Sequence, residues 1–243
     1  MNIAARDGNL DEMKKLKETG SVLSENVFYF ATVSGNLEAM KWLLDNGCRL
    51  DEYTFDAAAQ NGNLCNMKWL LENGCQCGDN TFYYAVENGN LCNMKWLREN
   101  GCKIPEDTFN HAAQDGILDN MKWLVSVGCG FNKNTLSIVV EHGNLKNMKW
   151  LQSNGCPFHS KTFKYAATNG NLDNMKWLFG LGCEFCEYTF SSAATNGNLC
   201  NMKWLLENGC PFHRADTFKC AVKNGSKENM EWLKDNGCPN SDM

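Results

Sequence analysis

A Met-Lys-Trp-Leu motif returns every 27 residues, with its methionine at Met40, Met67, Met94, Met121, Met148, Met175 and Met202. Met13 lies one period before this series, and Met230 follows it after 28 residues. The stretch from Asn61 to Cys75 is rewritten letter for letter at Asn196 to Cys210. All eight tryptophans stand two residues after one of these methionines. All but three of the 21 glycines fall on two phases of the period, the exceptions being Gly78, Gly130 and Gly180. Self-similarity of this kind is the signature of a repeat architecture. The 243 residues are therefore expected to form a single array: a partial N-terminal capping repeat at 1–20, repeats at 21–47, 48–74, 75–101, 102–128, 129–155, 156–182 and 183–209, a C-terminal capping repeat at 210–237, and a tail at 238–243.

The unit from Gly74 to Gly101 reads as two antiparallel helices of about 8 and 10 residues. Thr81 is placed to cap the first helix, in which Phe82, Ala85 and Val86 supply the apolar side. Gly89 can take the left-handed geometry that ends it. Asn90 then caps the second helix, where Leu91, Met94 and Leu97 form one stripe, and Gly101 stops it. Isolated helices under about 12 residues are marginal in water. Such pairs persist only when neighbouring units cover one another's apolar faces. On this pattern the tryptophan ladder belongs to the seams between repeats. A stacking platform for bases or sugars needs basic neighbours along an open groove, and the lysines before seven of the eight tryptophans, Lys41 through Lys203, are offset by nearby acidic residues.

The pattern T-F-x-x-A-A-x-x-G-N-L-x-x-M-K-W-L-L-x-x-G-C resembles the ankyrin repeat. Phe82 stands for the family's motif leucine, Ala85 and Val86 for its alanine pair, Gly89-Asn90-Leu91 for its G-H-L, and Gly101-Cys102 for its terminal G-A. The resemblance implies an all-α, ankyrin-like α-solenoid of stacked helix-turn-helix repeats. Ankyrin units usually have about 33 residues, and the six missing here lie where the family carries its β-hairpin finger, so shortened fingers are expected. Short units ending Asn-Gly-Cys-Pro are similar to those in ankyrin arrays of protists and of the large DNA viruses that infect them.

The formal net charge of −5 and the absence of a basic run exclude a nucleic-acid footprint. No apolar stretch reaches the roughly 18 residues a membrane span needs, and charges interrupt the N-terminus where a signal peptide would be apolar. A cytoplasmic, reducing location is expected, the host cell's cytoplasm in the case of a viral protein. Fourteen cysteines do not overturn that expectation. Equivalent residues of stacked units lie roughly 8–10 Å apart, whereas a disulfide needs Cα atoms within about 7 Å. The series Cys48, Cys75, Cys102, Cys129, Cys156, Cys183, Cys210 and Cys238 therefore reads as free, buried small hydrophobes, and the stack as uncrosslinked. His159, Cys186 and His213 occupy one phase of successive repeats, but the two histidines are expected roughly 16–20 Å apart, beyond any single metal ion. The four histidines sit in different units and no carboxylate pair stands out. No catalytic residue, metal or cofactor is assigned, and no enzyme is expected.

Information about function is expected where the copies diverge. Those positions are the loop after the helix-ending glycine and the outward phases of the first helix. They nominate Tyr53, Asn80, Tyr83, Tyr84, Asp107, His111, Asn134, Ile138, His159, Tyr165, Tyr188 and His213 as a partner-binding set. The resemblance implies a monomeric, non-catalytic scaffold, in origin a host-directed viral protein, that grips a protein partner along its concave face. The competing readings are a structural protein that self-associates and the recognition subunit of a ubiquitin-ligase complex. Gly180, within Leu-Phe-Gly-Leu-Gly, is expected to interrupt a second helix.

Overall fold

The computed structural model describes residues 1–24, 26–211 and 216–238. Among them the regular elements are eighteen α-helices, with no strand. They divide between two compact units, Met1–Cys129 and Gly130–Met243.

The first unit holds five helix pairs: α1 (Asn2–Arg6) with α2 (Leu10–Glu18), α3 (Val27–Ser34) with α4 (Leu37–Asp45), α5 (Glu52–Asn61) with α6 (Leu64–Glu72), α7 (Thr81–Asn88) with α8 (Leu91–Glu99), and α9 (Thr108–Asp115) with α10 (Leu118–Ser126). The second holds four: α11 (Thr135–His142) with α12 (Leu145–Ser153), α13 (Thr162–Asn169) with α14 (Leu172–Gly180), α15 (Thr189–Asn196) with α16 (Leu199–Glu207), and α17 (Asp216–Asn224) with α18 (Lys227–Asp235). Within each unit the first helices pack side by side in chain order. Every second helix is nine residues long. That includes α14, where Gly180 is simply the last helical residue, so the expected interruption is corrected.

The elements start and stop for identifiable reasons. Asn90 Oδ1 accepts from the amides of Cys92 and Asn93, capping α8 as expected. Gly89 closes α7 at φ +79°, a conformation costly for any residue with a Cβ. The role expected of Thr81 is corrected. It lies inside α7, fully buried, and its hydroxyl accepts the amide of Gly78 three residues back. Thr135, Thr162 and Thr189 do the same for Asn132, His159 and Cys186. A threonine at that phase closes the loop before the helix instead of capping the helix. Asp51 is the side-chain cap in its own repeat, accepting from both the amide and the hydroxyl of Thr54.

Within each unit, packing joins a repeat to the one before it. In the second helices the methionines from Met13 to Met202 are fully buried, as are Leu43, Leu70, Leu97, Leu124, Leu151, Leu178, Leu205 and Leu233. The half-buried tryptophans stack on a phenylalanine of the preceding repeat: Trp69 on Phe28, Trp123 on Phe82 and Trp204 on Phe163, with centroids 6.2–6.5 Å apart. A second seam is polar. Asn66, Asn93, Asn120, Asn174, Asn201 and Asn229 are buried, and each donates its Nδ2 to the carbonyl of the glycine ending the first helix of the preceding repeat. Satisfying that carbonyl matters, because a buried unpaired polar group costs about 1–3 kcal/mol.

The cysteine ladder is free with one exception, and it is buried except at Cys48 and Cys129, which are half-buried. Burial pushes the thiols of Cys75, Cys156 and Cys183 up to about 11 and that of Cys210 up to about 12. Cys102, however, is disulfide-bonded to Cys77, their Cα atoms 5.7 Å apart. The expectation of an uncrosslinked stack is thereby corrected. The spacing argument covers equivalent positions 27 residues apart, whereas this pair is 25 apart and joins one loop to the start of the next.

Candidate interaction surface

The face left for a partner follows from what each first helix must bury. In α7, Thr81, Phe82, Ala85 and Val86 are buried, which leaves Tyr83, Tyr84 and Glu87 on the opposite side. The same phases of α9 present Asn110, His111 and Gln114. Asn80, Tyr83, Tyr84 and His111 are brought together, lining a cavity of about 510 Å³ with Glu87, Gln114 and Asp115. The Tyr83 and His111 rings are 4.9 Å apart and tilted by 60°. A second cavity of about 540 Å³ shares Asn80 and Tyr83 and is bordered by Asp79, Glu106, Lys103 and the Cys77–Cys102 bridge. Burial first and the neighbouring charge of Asp107 second hold the Tyr83 hydroxyl above its ordinary pKa. Tyr53, in the first turn of α5, is 61% exposed and lines neither cavity.

In the second unit the α13 repeat carries cations at the matching positions, Lys161 and Lys164. Lys164 stands over the rings of Tyr165 and Tyr188 at 5.5 and 5.7 Å, and Lys161 over Tyr188 at 5.9 Å. Ile138 is half-buried on α11, and Asn134, just before that helix, is exposed and donates its amide to Asn132 Oδ1. His159 is turned inward to its own loop: its amide bonds Thr162, and its Nδ1 accepts from the amide of Lys161. Cys186 serves the same loop-closing phase beside Thr189. His213 lies outside the described residues. Among the described residues no three His, Cys, Asp or Glu side chains group as metal ligands.

Sequence reasoning missed Asp115. Its phase is held in other repeats by Asn61, Asn88, Asn169, Asn196 and Asn224, each of which donates to a carbonyl of the preceding repeat. The replacement of that asparagine by aspartate is the signal that was there to be read.

These features define the class: short helix pairs stacked side by side within each unit, with seams that recur from repeat to repeat and a first-helix face that varies. No family model matches the chain, and no curated protein matches it. Among solved structures the chain is similar to the crystal structure of the human ASB11 ankyrin repeat domain, with a TM-score of 0.54 and 21% identity over 64% of this chain and 83% of that one. The fold is that of ankyrin repeats. No helix among the described residues is long and apolar enough to cross a membrane.

Proposed function

We propose that the chain is a non-catalytic interaction scaffold that binds a protein partner through the first-helix face. The observation that carries this reading is the α7–α9 cavity. Tyrosine and histidine rings and amides converge there at positions that packing leaves free. Aromatic residues on a rigid frame give large contact area at low entropic cost, which suits recognition of another protein. Twelve cysteines are free, which supports a reducing cytoplasm, with the Cys77–Cys102 bond as the feature running against it. The chain acts as a monomer in this reading. Its short repeats, similar to those of protists and their large DNA viruses, support a host-directed viral origin.

Selection of peptides from a displayed random library on the immobilised chain tests the reading. Enriched peptides are expected to lose binding to Tyr84→Ala and His111→Ala while keeping it for Lys95→Ala and Lys122→Ala on exposed positions of the second helices. Failure to enrich any peptide, or equal binding to all four variants, rejects this face as the binding surface.

A further inference from the structure

We propose that the α7–α9 cavity takes a lysine or arginine side chain from an extended, basic segment of the partner. The inference rests on the functional reading above and adds the partner's chemistry. Glu87 and Asp115 line the cavity itself, and Asp79 and Glu106 border the adjoining one, against a single cation, Lys103. Asp107 adds a further negative charge beside Tyr83. Ring faces attract cations, and carboxylates at the rim steer and hold them. Among the described residues no lysine or arginine of the chain stands over Tyr83 or Tyr84.

The repeat three units further on supplies the comparison. There Lys161 and Lys164 occupy the phases of Asn80 and Tyr83, while Tyr165 and Tyr188 occupy those of Tyr84 and Asp107. Both ammonium groups stand over those rings within 5.9 Å. The backbone that presents the cavity thus accommodates a cation between these phases. Where the chain supplies its own lysines the place is taken. At α7 and α9 it supplies tyrosine, histidine and carboxylates, and the cation has to arrive with the partner.

The test is fluorescence anisotropy with short labelled peptides in which serine alternates with arginine, glutamine or glutamate. The arginine peptide is expected to bind best, and to weaken as salt rises from about 50 to about 500 mM. Glu87→Lys is expected to weaken it roughly tenfold, and Tyr83→Leu roughly three- to tenfold, with circular dichroism checking that each variant is folded. Glu99→Lys, on the exposed end of α8, makes the same change in net charge. A loss equal to that of Glu87→Lys means attraction by bulk charge and overturns the proposal. Equal binding of the arginine and glutamine peptides, or preference for glutamate, also overturns it. If library peptides depend on Tyr84 and His111 yet show no enrichment in lysine or arginine, this inference falls while the scaffold reading stands.

Discussion

Replacing Asn93 tests whether the buried asparagine seam stabilises the stack. The residue is 1% exposed, and its Nδ2 reaches the Gly62 carbonyl at 2.7 Å, 31 residues back in the chain. Alanine deletes the donor and leaves that carbonyl unpaired at the end of α5, a cost of about 1–3 kcal/mol. Better helix propensity returns up to about 0.7 kcal/mol. The net loss is about 1–2 kcal/mol, which lowers the melting midpoint by roughly 2–8 °C for a chain of this size. Asn93→Asp keeps the shape but points a carboxylate at the same carbonyl, so its cost is larger, about 3 kcal/mol or more. Asn88 is the control: it is exposed, and donates to the Gln60 carbonyl at 3.2 Å. Asn88→Asp should cost no more than about 0.5–1 kcal/mol. Thermal and urea melts followed by circular dichroism rank the three. If Asn93→Asp melts with Asn88→Asp, the buried bond contributes nothing measurable and the argument for a polar seam is wrong.

Two glycines with the same backbone separate strain from crowding. Gly74→Ala, at φ +85° with open space around the new Cβ, should cost about 1–2 kcal/mol in urea melts. Gly62→Ala, at φ +79°, must in addition displace the Asn88 amide and should cost about 1 kcal/mol more; equal losses would refute the close approach. The neutral ladder thiols set a pH limit. Thiols of the unfolded chain titrate near 9 whereas Cys75, Cys156 and Cys183 are pushed up to about 11 in the folded one, so unfolding releases their protons between those values. Their contribution is complete below about pH 9 and is lost as pH rises towards 11, by at most about 1.4 kcal/mol per pH unit for each thiol. Cys156→Ala should flatten that decline by one thiol's share, as measured by urea melts across the window. Closing a loop of about 25 residues is worth about 3 kcal/mol, so reductant should lower stability by up to that amount. Cys77→Ser should remove the sensitivity, and a reductant effect that survives in this variant would point to another cause.

The fold was legible because the chain states it many times. Helix pairing, glycine stops and the phenylalanine–tryptophan seams all follow from one unit and its period. Most of what stayed hidden involves partners in another repeat. Asn93 is polar and flanks an apolar stripe, so it reads as solvated until the Gly62 carbonyl is seen above it. Cys77 and Cys102 escape a spacing argument built on the period because they lie 25 residues apart. Thr81 suits either side of a helix start, and local preference alone does not choose between them. Asn80, Tyr83, Tyr84 and His111 could be nominated from divergence between copies, but their convergence on one cavity required the geometry of α7 against α9.

The two identical fifteen-residue stretches sharpen the case for the first-helix face. Much of their identity is explained by bonding. Asn61 and Asn196 reach a carbonyl of the preceding repeat, Asn63 and Asn198 cap, Asn66 and Asn201 fill the buried seam, and Asn73 and Asn208 bond the carbonyls of Trp69 and Trp204. Yet Cys65, Lys68 and Glu72 are exposed and still match Cys200, Lys203 and Glu207. Packing does not require that identity. In the same two repeats the differences fall in the loop, Arg49, Leu50 and Asp51 against Glu184, Phe185 and Cys186, and in the first helix, where buried Asp56 and Ala57 and exposed Gln60 correspond to Ser191, Ser192 and Thr195. Undirected drift over a freshly copied repeat would reach the open phases of both helices. In this pair the change spares the second helix and falls on the loop and the first helix, the elements to which the proposed function assigns a partner.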